Sequence, residues 1–115
     1  MTPLSPEPHD PAASSPPLCL LHLSLPQALE TALLDALQAQ PGLPPLNVWP
    51  AQQLGPGVPL PSALEQVHGR ARRSLVQLML PTADVPARLQ ALRAALPHPD
   101  VHWWTTPVLA HGSLT

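Results

Sequence analysis

The stretch that decides the fold is Leu18-Cys19-Leu20-Leu21-His22-Leu23-Ser24-Leu25-Pro26. It is apolar nearly throughout and ends at a proline, a pattern that predicts a largely buried β-strand. Pro26 can start a helix, because a proline in the first helical position gives up no hydrogen bond that the helix needs. Leucines then recur every four residues between Gln27 and Gln40, which predicts an amphipathic helix that Pro41 and Gly42 end.

Two further strands are predicted on either side of a loop. The second strand runs from Leu46 to Trp49, and if it continues past Pro50, that proline places it at a sheet edge or a bulge. The segment 55–62 (GPGVPLPS) is too rich in proline and glycine for regular structure and is predicted to be an exposed loop. Ser62 and Glu65 fit a capping box, so a short helical turn follows. The third strand is Arg72 to Leu80.

The last helix and strand complete the order. The segment 82–86 (TADVP) opens a second long helix with a capping threonine, an acidic residue in the first turn and an early proline. The fourth strand is Val101 to Thr106 and stops at Pro107, or is extended after a kink by Val108 to Ala110. Right-handed crossovers put both helices on one face of the resulting βαββαβ unit, which predicts an α+β, ferredoxin-like fold with an antiparallel four-stranded sheet. Trp103 and Trp104 alternate, so one faces the helices and the other is free for an oligomer contact.

Composition excludes several classes of protein. The chain has 115 residues, 19 of them proline, with no Lys, Phe or Tyr and a single Cys. The net charge of −2 argues against a bulk electrostatic binder of nucleic acid, and the missing Phe and Tyr remove the usual platforms for stacking bases. One Cys excludes a disulfide framework and a multi-thiolate metal site. An enzyme of the acylphosphatase type is not expected, since it needs an Arg–Asn pair around an N-terminal phosphate loop and no Arg precedes Arg70.

The prolines also divide the chain. Six of them fall in residues 1–17, a stretch with little to bury, which predicts a disordered, proline-rich tail ahead of a folded domain at 18–115. That domain has five acidic residues and five arginines, so its charge is zero, and such a charge-poor surface favours association. No signal peptide or membrane-spanning run is recognisable, so we expect a cytoplasmic protein with no direct membrane insertion.

Two groups of residues are candidates for ligand binding. Arg70, Arg72 and Arg73 form the one basic cluster, and guanidinium groups bind phosphate bidentately. They predict an anion or nucleotide site between subunits, with a solvated strand edge salt-bridged to Glu65 as the alternative. His102 is the candidate for a transition-metal site built from several subunits. The alternative is that His102 is a hydrogen-bonded residue of the sheet.

Three segments resemble a small bacterial family of unknown function within the PII-like superfamily. They are 60–73 (LPSALEQVHGRARR), 80–87 (LPTADVPA) and 101–109 (VHWWTTPVL). The resemblance extends over roughly residues 18–114. The run from Glu65 to Arg73 is its most specific part.

The resemblance implies a PII-like homotrimer with a regulatory or sensory role rather than catalysis. Members of this family are typically encoded beside heavy-metal efflux pumps, so the implied partner is a membrane transporter or efflux system. The implied ligand is an adenine nucleotide or a transition-metal ion in a cleft between subunits, below the loop that here spans about Gln52 to Glu65. His102 matches the family's final strand. This sequence lacks the lysines of the standard PII nucleotide site, since the chain has no Lys. The second hypothesis for the function is an oligomeric adaptor that binds no ligand.

Overall fold

The computed structural model describes residues 16–115, and these form a layer of helices packed on one β-sheet. Four strands and three α-helices follow one another in the order β-α-β-α-β-α-β. In chain order they are β1 Leu18–Pro26, α1 Glu30–Gln38, β2 Leu46–Gln53, α2 Ala63–His68, β3 Ala71–Pro81, α3 Val85–Ala95 and β4 His102–Val108. The short α2 stands in the connection between β2 and β3, as the capping box predicted.

The sheet confirms the predicted ferredoxin-like arrangement. Its strand order is β2-β3-β1-β4, and every neighbouring pair is antiparallel. The central pair aligns Leu21 with Leu78 and Leu23 with Val76. The two middle strands are therefore β1 and β3, while β2 and β4 lie at the edges.

Alternation along the central strands builds the core. Leu21, Leu23 and Leu25 of β1 are all buried, as are the aliphatic residues of β3 that share their face. Leucines of α1 and α3 pack on them, because a spacing of three or four residues puts those side chains on one side of each helix. The buried cluster is Cys19, Leu21, Leu23, Leu25, Leu33, Leu37, Val76, Leu78, Leu80, Val85, Leu89 and Leu92. We call this side of the sheet the helix face.

Two prolines lie in the interior of strands, and both strands continue past them, which the sequence left open. β2 runs through Pro50 to Gln53, and β4 runs through Pro107 to Val108. Both are edge strands, where a missing N–H can face away from the sheet at no cost to the ladder. The prediction that Pro50 marks an edge or a bulge is confirmed, because β2 is an edge strand.

The long helices begin later than the sequence patterns suggested. A 3₁₀ turn, Gln27–Leu29, precedes α1, and another, Thr82–Asp84, precedes α3. The prediction that Thr82 caps a helix was wrong, because the α3 N-cap position is Asp84 and neither turn has a side-chain cap bond. A fixed proline φ just before each turn guides the chain into tight helical geometry without such a cap.

The other side of the sheet, the open face, carries no helix in the described part of the chain. It presents Trp49, Met79 and Trp104, each between 37% and 44% exposed. His22 of β1 stacks on Trp104 with ring centroids 5.2 Å apart and an interplanar angle of 6°. Trp103 lies on the helix face beside Leu23. The two tryptophans therefore face opposite sides, as their alternation predicted.

The predicted tail at residues 1–17 lies outside the described residues except for its last two. The Pro17 carbonyl accepts a hydrogen bond from the Thr82 backbone N–H at 2.9 Å. Among residues 16–115 no helix combines the length and apolar character needed to cross a membrane.

Candidate functional site

The site begins with α2, whose local sequence fixes both of its ends. The Ser62 hydroxyl accepts from the Glu65 N–H at 3.1 Å, and Glu65 Oε1 accepts from the Ser62 N–H at 3.3 Å, which completes the capping box. Gly69 ends the helix with a φ of 68°, a left-handed conformation that glycine adopts without steric cost. The chain thereby turns back directly into β3.

Glu65 ties this turn to the sheet. Its second carboxylate oxygen, Oε2, accepts from the Arg72 backbone N–H at 2.7 Å, and its backbone carbonyl accepts from the N–H groups of Gly69 and Arg70. Hydrogen bonding with the Ser62 side chain, and then with the Arg72 N–H, holds the pKa of Glu65 below its ordinary value. Glu65 is therefore an ionised carboxylate at neutral pH that holds the start of β3 in place.

A pocket of about 300 Å³ opens beside this carboxylate. It is lined by Gln52, Leu64, Glu65, His68, Arg70 and Arg72. We call it the arginine pocket. It lies where β2 ends and β3 begins, at the base of the exposed loop that joins β2 to α2.

The two arginines of the pocket are held differently. Arg70 donates from one guanidinium nitrogen to Gln52 Oε1 at 2.8 Å, which orients it. Arg72 pairs with Gln52 in the register of β2 and β3, and its backbone is fixed by Glu65. Within residues 16–115 no side-chain hydrogen bond or ion pair engages the Arg72 guanidinium. Both side chains are solvent-exposed and present donors to the pocket.

Arg73 is not part of this arrangement. It is 3% exposed and lies on the open face, where its guanidinium forms an ion pair with Asp100 at 2.9 Å. It also donates to the Ser24 hydroxyl and to the Asp100 carbonyl. The structure therefore brings together Arg70 and Arg72 from the predicted cluster and gives Arg73 a position inside the fold, on the other side of the sheet.

His102 lies at the start of β4, on the open face. Its Nε2 is 3.3 Å from Asp100 Oδ1, and its side chain is 64% exposed. No group of three or more His, Cys, Asp or Glu side chains with metal-binding spacing occurs in the part of the chain that the structure describes. A metal site at His102 would therefore need ligands from other subunits.

Besides Leu64, three residues of the pocket were not singled out from the sequence as ligand-binding residues. Glu65 entered as a capping residue, while Gln52 and His68 entered only as part of a loop and a helix. The position of Gln52 depends on the pairing register of β2 and β3, which the sequence does not specify on its own. The separation of Arg72 from Arg73 could have been predicted, because adjacent residues of a strand point to opposite faces.

The fold and this site define the class of protein: a ferredoxin-like α+β domain with a pocket that is lined by two arginines at the base of its β2–β3 connection. A family model described as "Protein of unknown function (DUF3240)" matches residues 15–115. The chain belongs to the DUF3240 family. No curated protein matches the chain.

Solved structures show the same fold. A DUF3240 family protein from Shewanella baltica OS155 superposes with a TM-score of 0.67 at 19% identity, covering 85% of this chain and 97% of that one. CutA from Synechococcus elongatus PCC7942, in complex with Bis-Tris, gives a TM-score of 0.61 at 16% identity, covering 85% and 86%. A second structure of this CutA gives 0.59 at 16% identity, covering 82% and 79%. The chain is thus similar to CutA in fold.

Proposed function

We propose that this protein is a homotrimeric, PII-like regulatory protein that binds a small anionic ligand in the arginine pocket. The observation that carries the proposal is the exposed pair Arg70 and Arg72 at the base of the β2–β3 loop. A ligand held there lies against the element that would contact a partner. The resemblance to the PII-like superfamily supports the interpretation that this loop signals to the partner whether a ligand is bound.

Trimer formation in this proposal uses the open face of the sheet. Trp49, Met79 and Trp104 leave a large part of that face apolar and uncovered in one subunit. Residues 18–115 carry no net charge, so electrostatic repulsion between copies is weak. Burying an apolar face of this kind against other copies is favourable by about 25 cal/mol per Å².

We propose a binding role rather than a catalytic one. The carboxylate in the pocket, Glu65, is engaged by the N–H groups of Ser62 and Arg72, and its lowered pKa makes it a poor proton carrier at neutral pH. The partner we propose is a cytoplasmic face of a membrane transporter or metal efflux system, as the family resemblance implies. A transition metal at His102 would be a second ligand, bound only in the assembled trimer.

Calorimetric titration of the purified protein with ATP, ADP, AMP, inorganic phosphate, Zn²⁺, Cu²⁺ and Co²⁺ tests this function. The expected result is heat from at least one anion that is lost in Arg72→Ala and kept in Arg93→Ala, an exposed arginine on α3. Metal heat that is lost in His102→Ala would support the second ligand. If no anion or metal produces heat, the ligand-free adaptor replaces the proposed function.

A further inference from the structure

We infer that the arginine pocket selects a tetrahedral oxyanion that carries a proton, of the hydrogen phosphate type, with Glu65 accepting the ligand's O–H. The inference rests on the proposed function and deepens it, because it names the ligand class of the same pocket.

The guanidinium groups supply the donors for such a ligand. Arginine carries five N–H donors, and Arg70 uses one of its nitrogens on Gln52. The remaining N–H donors of Arg70 can together bind two oxygens of a tetrahedral anion, and the Arg72 guanidinium can do the same. Gln52 adds a side-chain amide whose nitrogen can donate as well, since its oxygen is the atom engaged by Arg70.

Glu65 makes the pocket discriminate between oxyanions. It lines the pocket beside the two arginines, and each carboxylate oxygen accepts one backbone N–H. A carboxylate has about four lone-pair positions, so it retains acceptor capacity toward the pocket. Because its pKa is lowered, it stays ionised and cannot itself donate. An oxyanion with an O–H can donate to it, whereas a fully deprotonated anion such as sulfate meets a repelling carboxylate.

The lining also decides which part of a ligand the pocket can recognise. At about 300 Å³ the pocket is at the lower end of the range for small-molecule sites. Its one ring is the His68 imidazole. Trp49 lies on the opposite face of β2 from Gln52, and the other two tryptophans lie on β4 at the far edge of the sheet. A nucleobase therefore has no tryptophan to stack on in this pocket. The part of the ligand that the pocket recognises is the charged oxyanion.

Competing titrations test this selectivity. The full-length protein is titrated with inorganic phosphate, arsenate, sulfate, AMP and ATP at one ionic strength, at a pH where phosphate is mostly divalent hydrogen phosphate. Phosphate and arsenate should bind at least about tenfold more tightly than sulfate, the effect of one hydrogen bond to a charged group. Arg72→Ala and Arg70→Ala should each weaken phosphate binding by about 10- to 100-fold. Arg93→Ala should leave it unchanged.

Glu65→Gln probes the carboxylate directly, because an amide can donate to sulfate. Sulfate affinity should rise relative to phosphate in a variant whose circular dichroism and sedimentation match the wild type. The wild-type comparison of phosphate with sulfate stands even if this variant does not fold. Equal affinity of the wild type for sulfate and phosphate would overturn the inference. ATP that binds tenfold more tightly than phosphate and requires Arg72 would overturn it while leaving the proposed function intact, and no heat from any anion would overturn both.

Discussion

Arg73 and Asp100 form an ion pair at 2.9 Å between β3 and the turn that leads into β4. The guanidinium also donates to the Ser24 hydroxyl of β1, which lies between those two strands in the sheet. One side chain thus connects three neighbouring parts of the sheet at one end of the open face. It does so with a charge that is almost fully buried.

Arg73→Ala should destabilise the fold. Removing the guanidinium leaves Asp100 with only the exposed His102 beside it, and it leaves the Ser24 hydroxyl without its hydrogen bond. Because Asp100 is partly exposed, we expect a loss of about 2–4 kcal/mol in the free energy of unfolding. Chemical denaturation at fixed protein concentration measures it. Arg93→Ala, at an exposed arginine, should change the same free energy by less than about 0.5 kcal/mol, and equal losses in both variants would contradict the structural role of Arg73.

Glu65 should make stability depend on acid pH. Its folded-state pKa lies below its ordinary value of 4.5, chiefly through hydrogen bonding with Ser62. The stabilisation is therefore fully present above that ordinary value and is lost as the pH falls through the folded-state value. Denaturation at a series of acidic pH values should show this loss in the wild type. A parallel series on Glu65→Gln should be flatter, and unchanged curvature would show that Glu65 is not the titrating group.

Arg88 should stabilise the end of α1. It donates to the backbone carbonyls of Pro41 and Gly42, at 3.0 and 2.9 Å, and to the side chain of Gln40. These bonds take up carbonyl groups that follow the helix and link it to α3. Arg88→Ala should cost about 1 kcal/mol. Arg93→Ala on the same helix is the matched control, and a similar effect of both substitutions on the thermal midpoint would exclude the capping role.

Trp104 should be needed for association. Its indole stacks on His22 and remains 44% exposed on the open face. Trp104→Asp would put a charge into the proposed subunit contact, where its desolvation is costly. Light scattering after size exclusion should show smaller species at micromolar concentration. Gln90→Glu, which adds the same charge at an exposed position of α3, should assemble as the wild type does.

The fold could be predicted from the sequence because its apolar residues alternate along the strands and recur at helical spacing along the helices. Alternation in β3 separates Val76 and Leu78 from Leu75 and Met79, and apolar residues spaced three or four apart mark both long helices. Pro50 and Pro107 left the ends of β2 and β4 open, since whether a proline stops a strand depends on whether that strand lies at an edge. Pro50 indicated an edge position for β2, whereas the edge position of β4 follows from the order of strands in the folded sheet.

The candidate site was only partly accessible from the sequence. Arg70 and Arg72 lie together because a left-handed Gly69 turns α2 into β3. Gln52 lies beside them because the register of β2 and β3 pairs it with Arg72. Arg73 lies on the other face of the sheet because adjacent strand residues point to opposite faces. Asp100, which holds Arg73, is 27 residues away in sequence, so no local pattern could have paired them.

Sedimentation equilibrium of the wild-type protein at micromolar concentration tests the central claim most directly. A PII-like regulatory protein that closes its open sheet face against other copies should give three times the mass of one chain. The mass of one chain, unchanged on raising the concentration, would contradict the account.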